Sequence, residues 1–237
     1  MRKLILGLVV ILALGCRKQD DPFVDPLAGR ATYNFEEGLQ GWEGGFADFP
    51  LDFEDSVMFE LDTAILPVGT PERTVRLSGN DVNRDLFMFI KQKIGPLDPN
   101  TAYRITFVMD ILAQNLEEVE EINTNPFIVP KVGASTMDPK LITTADTDEL
   151  GYLGMTLNID KGNGNSGGLD MIALSPVELS TDPGASTSPA SINSGSEVFR
   201  ATTDSNGEIW LIIGTDSESG MKHAVYLDNL LIEFFTN

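Results

Sequence analysis

Carboxylates are the main source of chemistry in this 237-residue sequence. It has 36 Asp and Glu against one His, His223, and one Cys, Cys16. A lone Cys gives no disulfide framework, and a thiolate metal site would have no second Cys. A Ser-His-Asp relay would have to recruit His223, and no G-x-S-x-G turn is present. Zinc held by one His would lean on carboxylates, which zinc seldom does. His223 follows Lys222 just before the last apolar run, so it reads as an exposed turn residue.

Glycoside chemistry needs two carboxyl groups on either side of a sugar, roughly 5 to 10 Å apart. The stretch "NIDKGNGNSGGLD" offers Asp160 and Asp170 around Lys161 in a Gly-rich loop, and loops at a sandwich rim can converge on a ligand. The same stretch also reads as a flexible connection with a local Asp-Lys pair. It is not a phosphate-binding loop, because no Gly-Lys-Ser/Thr closes it before a helix. A second concentration lies in "YNFEEGLQGWEGGFADFP". There Trp42, Phe46 and Phe49, with Phe53 just beyond, sit beside acidic groups including Asp48. Aromatic faces next to carboxylates suit the C–H faces and hydroxyl edges of sugars, and Tyr152 borders the later loops. Core packing is the competing reading for Trp42 and the Phe residues, and Trp210 reads as core.

Short strands must position these groups. "GPLDPNTAYRITFVMDIL" places a turn at Gly95-Pro96 and Asp98-Pro99-Asn100. Tyr103, Ile105, Phe107, Met109 and Ile111 then alternate, as in a half-buried strand. "TYNFE", "SVMFELD", "RTVRLSG", "LFMFIKQKI", "FIVPKVGAST", "LGMTLNID", "EVFRATT", "EIWLIIG" and "AVYLDNLLIEFF" read as further strands. Asn206-Gly207 signals a hairpin between the strand before it and the one from Glu208. Only Asn115 to Ile122 suggests a helix, of a turn or two. Asn158 to Asp170 and Ser175 to Ser196 read as long loops. This pattern predicts an all-β antiparallel β-sandwich, most simply a jelly roll. In the last strand, Tyr226, Asp228, Leu230, Ile232 and Phe234 share one phase, which predicts Asp228 on the core-facing row. A carboxylate there needs a partner, either an oxygen-seeking cation or a neighbouring backbone at a bulge.

"YNFEEGLQGW" and "AVYLDNLLIEF" resemble the first and last strands of carbohydrate-binding-module and galactose-binding-like jelly rolls. In those folds a carboxylate just after the first strand's aromatic and an Asp of the last strand ligate a structural Ca2+. The matching positions here are Glu36, with Glu37 adjacent, and Asp228. "SGNDVNRDLFMFI", "VGAST" and "LNIDKGNGNSGG" resemble a family of uncharacterised secreted bacterial proteins. The expectation from the jelly-roll resemblance is a non-catalytic module that binds a polysaccharide or glycan. A hydrolase or lyase using loop carboxylates, and an adhesion subunit of an envelope complex, are the alternatives.

"MRKLILGLVVILALGC" has two cations and then an apolar run too short to span a bilayer as a helix. Its end, Ala13-Leu14-Gly15-Cys16, resembles a bacterial lipobox, in which the Cys thiol is diacylated. That resemblance implies a signal peptide over 1–15, a lipidated tether over 16–29 and a β-sandwich over 30–237. It also implies an outer-membrane lipoprotein, exposed at the surface by its acidic Lys18-Gln19-Asp20-Asp21 tag. A net charge of -20 repels phosphate backbones and argues against nucleic acid as a partner.

Overall fold

The alternating strands close into two antiparallel sheets packed face to face. The computed structural model describes residues 29–69, 71–117, 126–147, 153–179, 189–195 and 199–236. Cys16, the signal peptide and the tether, Tyr152, most of 115–122 and part of 175–196 lie outside the described residues. The first sheet contains β1 (Arg30–Tyr33), β4 (Glu60–Ile65), β5 (Arg73–Asn80), β7 (Ala102–Asn115), β13 (Ala190–Asn193), β14 (Phe199–Thr202) and β16 (Lys222–Thr236). The second contains β2 (Glu43–Ala47), β6 (Leu86–Ile94), β8 (Phe127–Ser135), β11 (Met171–Ala173), β12 (Val177–Glu178) and β15 (Ile209–Ser217). A small third sheet, β3 (Phe49–Pro50), β9 (Leu141–Thr147) and β10 (Leu153–Leu157), roofs the outer face of the second. The fold is an antiparallel β-sandwich, as its sequence pattern predicts.

Period-two alternation explains the core. Ile105, Phe107, Met109 and Ile111 of β7 and Val225 and Leu227 of β16 face Leu86, Met88 and Ile90 of β6 and Leu211 and Ile213 of β15 in one buried cluster. The centre of the second sheet is β15, paired with β6 over Ile209–Ser217 and with β8 over Trp210–Ser217. Pro130 sits inside β8, where a proline cannot donate to a ladder. The outer neighbours of β8 stop on either side of it, β11 opposite Lys131 to Gly133 and β12 opposite Phe127 and Ile128.

Four local expectations are corrected. Asn206-Gly207 makes a tight turn, with Gly207 N–H donating to Asp204 O at 3.1 Å. Its flanking strands nevertheless enter different sheets, since β14 pairs with β7 and β15 with β6 and β8. The signal reports the turn and not the pairing. Ser56 and Val57 belong to a short helix, α1 (Glu54–Val57), which ends in a left-handed Met58 before β4.

The third correction is the phase of β16. Its pairing with β7 shifts register between Asp228 and Leu231, around Asn229 at φ 49°. One extra residue turns a strand's faces over. Ala224, Tyr226 and Asp228 therefore face away from the core, whereas Leu230, Ile232 and Phe234 face into it. The same edge of β16 passes from β5 to β1 at this bulge. The fourth is His223, which lies inside β16 with no exposed surface. Its Nδ1 is 3.0 Å from Met221 O, and burial lowers its pKa, so the ring is held neutral.

Candidate functional site

The outer face of the second sheet carries charge where a sandwich usually carries water-facing polar residues. On β6, β8 and β15 the residues phased away from the core include Phe87, Phe89, Lys131, Ile212 and Asp216. Phe87, Phe89 and Ile212 pack with Ala47, Leu157, Ile159 and Met171 in a second buried cluster beneath the roof. Lys131 and Asp216 lie within this dry layer, 0% and 2% exposed. Their Nζ–Oδ2 distance is 2.9 Å, and burial lowers the Lys131 pKa against the pull of that carboxylate. Asp216 Oδ1 has no hydrogen-bond partner among the described residues.

Lys161 extends the charges toward solvent. Its Nζ pairs with Asp48, lies 3.7 Å from Asp216 Oδ2 and stands 4.8 Å from the centre of the Phe87 ring. Asp48 follows β2 and ties sheet to roof. Its N–H donates to Met155 O at 2.6 Å, and Thr156 Oγ1 donates to its Oδ1 at 2.7 Å. Burial pushes the Asp48 carboxyl up, opposed by Lys161 and Thr156.

The Gly-rich loop delivers Lys161, and its two aspartates are spent on holding its shape. Asp160 accepts from the N–H groups of Gly162 (3.1 Å) and Leu169 (3.0 Å), and Asp170 Oδ2 accepts from Asp160 N–H at 2.9 Å. Ala134 N–H donates to Asp170 O at 3.1 Å, so the loop lies flat on β8. A Cβ on Gly133 would come within 1.9 Å of that same oxygen, which is why this strand position has no side chain. The loop is therefore a braced clamp, and the partner of Lys161 is Asp48, 113 positions away in sequence, not a neighbouring Asp.

Between roof, loop and strand ends opens a cleft of about 540 Å3. Asp48, Asp85, Asn83, Thr144, Thr156 and Lys161 give it polar walls, and Phe49, Pro50 and Met155 an apolar side. Asp85, half-buried just before β6, has its pKa pushed up to about 7, first by burial and then by the charges of Asp48 and Asp216. The arrangement offers one carboxyl that changes charge near neutrality beside one held by an ammonium.

Of the residues singled out in the sequence, the structure brings Asp48 and Lys161 together in the cleft. Asp160 and Asp170 support it from behind. Trp42 is 3% exposed and packs edge-on to Tyr33 at 5.3 Å, inside the core. Phe46 is half-buried against Phe49 and Phe59, at 4.8 and 5.2 Å. Trp210 lies on the outer face of the second sheet, half-buried, with Lys91 Nζ 4.8 Å above its ring. Sequence reasoning missed Asp85, Lys131 and Asp216. A signal existed for the last two, a charged residue inside an otherwise apolar strand in "FIVPKVG" and "WLIIGTDS".

Glu36 and Asp228 lie on the opposite side of the molecule. Glu36 Oε1 accepts the Arg73 N–H at 3.2 Å. Asp228 pairs with Asp110 across β7 and β16 and is 6% exposed, with a buried Oδ1 that has no hydrogen-bond partner among the described residues. Its pKa is pushed up to about 6, mainly by burial, with Glu72, Asp110 and Glu36 adding to the rise. Asp228, Asp110 and Glu72 share a small cavity of about 210 Å3 with Leu66, Leu112 and Tyr226. Among the described residues, no three acidic, His or Cys side chains form a group placed to hold a metal ion.

No family model and no curated protein matches the sequence. Among solved structures, the chain is similar to the CBM22-1 xylan-binding domain of Paenibacillus barcinonensis Xyn10C. The identity is 10% and the TM-score 0.40, over 87% of this chain and 94% of that one. It is also similar to the family 11 carbohydrate-binding module of Lic26A-Cel5E of Clostridium thermocellum, at 11% and 0.38, over 89% and 97%. A third likeness is to the K1 cleaved adhesin domain of Lys-gingipain from Porphyromonas gingivalis, at 12% and 0.34, over 86% and 97%. These likenesses are too distant to carry a function to this chain.

Proposed function

We propose that the protein binds a glycan in the cleft beneath the roof sheet, without turning it over. The observation that supports this is the lining itself. Carboxylate, amide, hydroxyl and ammonium groups face an apolar side at the half-buried Met155, backed by the buried Phe49 and Pro50, a combination that suits a ring with hydroxyl edges and a C–H face. The volume falls within the roughly 300–1,000 Å3 of small-molecule sites. Glycan-array and affinity-gel binding tests the reading, with Asn83→Ala/Thr156→Ala weakening retention at least fivefold. Folded protein retained by no glycan overturns it. Absence of reducing-sugar release from every bound glycan separates binding from hydrolysis.

Two further parts of the reading stand on the sequence. Cys16 is diacylated and anchors the domain at the surface of an outer membrane. A fatty-acid probe should label the protein, and Cys16→Ser should lose the label. Asp228, with Glu36 nearby, holds Ca2+. The orphaned, buried Oδ1 fits a hard cation, whose remaining positions would fall to backbone carbonyls and water.

A further inference from the structure

Charge pairing within the cleft leaves one group over. Lys131 is assigned to Asp216 at 2.9 Å, and Lys161 to Asp48, with Asp216 also within 3.7 Å. The Asp85 carboxyl has no ion pair or hydrogen bond among the described residues. It nevertheless lines the cleft beside Asp48, within the field of Asp48, of the buried Asp216 and of Asp81. Both cations that could have served it are already held by better-buried carboxylates. We infer that the glycan taken by this cleft carries a free primary ammonium, an amino sugar, and that Asp85 receives it. This rests on the glycan-binding reading above and narrows it to a ligand class.

Three observations converge on that class. An ammonium placed at Asp85 would supply a cation to the one cleft carboxyl that the two lysines leave unserved, in a field made negative by Asp48, Asp216 and Asp81. A uronate or sulfate group at the same place would meet Asp85 and Asp48 with Asp216 buried close behind, and like charges in a partly dry cleft repel strongly. The whole chain, at net charge -20, also draws cations toward it and holds anions off. Asn83 and Thr156, which also brace Asp48, line the wall where the hydroxyls around the amine on a sugar ring would lie. The apolar side at Met155 faces them. A bare metal ion would leave that apolar side and the Asn83 amide unused. Burial and neighbouring charge hold Asp85 partly protonated near neutral pH, so receiving an ammonium drives its proton out to buffer.

The test is calorimetric titration of the full-length protein at pH 7 with three probes of equal length. These are fully deacetylated glucosamine oligomers, their N-acetylated counterparts and cello-oligomers. Each is run on the wild type, on Asp85→Asn and on Glu178→Gln, an exposed charge change on β12 outside the cleft lining. The expected result is at least tenfold tighter binding of the deacetylated probe than of the N-acetylated one. That ratio should collapse in Asp85→Asn and survive in Glu178→Gln. Proton release should appear as a dependence of the heat on buffer ionisation in the wild type and vanish in Asp85→Asn. If neutral probes bind as tightly as the amine, the ammonium inference fails and glycan binding stands. An amine preference that Asp85→Asn leaves intact, or that Glu178→Gln removes equally, assigns the effect to overall charge and also overturns the inference. If no probe binds but an oligolysine peptide does, both readings fail.

Discussion

The outer faces of the two sheets carry charges on the same alternating phase and end in opposite environments. On the first sheet, Arg76 meets Glu60 at 3.2 Å and Asp62 at 3.5 Å, and both carboxylates are more than half exposed. On the second, Lys131 and Asp216 meet at 2.9 Å under a roof, with side chains 0% and 1% exposed. Alternation alone places both pairs. Only the roof and the clamp loop decide that one pair exchanges with water and the other does not. The Arg76 pairing on the first face can be lost cheaply, whereas on the second Lys131 and Asp216 are each held by the other and removal of one strands its partner.

The largest expected effect breaks that contrast directly. Lys131→Met leaves the buried Asp216 with only the longer 3.7 Å contact to Lys161, which Asp48 already holds, so it should cost about 3 kcal/mol of stability. Lys131→Met/Asp216→Leu should recover much of it. Arg76→Met on the first face should shift the melting temperature far less than either. If Lys131→Met and Arg76→Met prove alike, the roof does not keep its pair dry. The second effect concerns the first face. If Ca2+ occupies Asp228, saturation at a hundredfold excess over Kd stabilises by about 2.7 kcal/mol. Chelation should then lower the melting temperature by several degrees, and Asp228→Ala should erase the difference. Identical melting in calcium and in chelator removes the cation from this face.

The third effect sharpens the role of the clamp. Gly133→Ala drives a methyl into Asp170 O and should cost about 1–3 kcal/mol while weakening cleft binding, as an overpacked contact does. The last and smallest is the pH profile. Asp85 and Asp228 have folded-state pKa values above their ordinary 3.8, at about 7 and about 6. Each therefore favours the folded state fully below pH 3.8, and that contribution is lost as pH rises through the folded value. Asp85→Asn should gain on the wild type from about pH 4 upward and level off above pH 7, and Asp228→Asn should level off above pH 6. His223 runs the other way. Its depressed pKa makes stability fall as pH drops below about 6.5. Thermal melts from pH 4 to 8 check all three.

The strands of the sandwich were legible wherever alternation was unbroken, as in Tyr103 to Ile111. The sequence phase predicts the wrong face for Asp228 because a bulge has no composition of its own, and one inserted residue at Asn229 reverses everything after it. His223 departs from its sequence reading for a related reason: beside Lys222 it reads as a turn residue before the strand, whereas β16 already begins at Lys222. Asp48 and Lys161 could be named but not joined, because nothing local connects the end of β2 to a loop more than a hundred residues on. Asp85 was silent in the sequence. Its significance comes from the two carboxylates and the two claimed lysines around it, a relation that exists only in three dimensions.

Hydrogen bonding on both edges of β15 has a kinetic consequence. Its amides can exchange with deuterium only when the second sheet comes apart, so they should report whole-domain unfolding. β3 contributes only two residues to the roof, and β10 meets β9 through an irregular register. Their amides can open locally while β15 remains sealed.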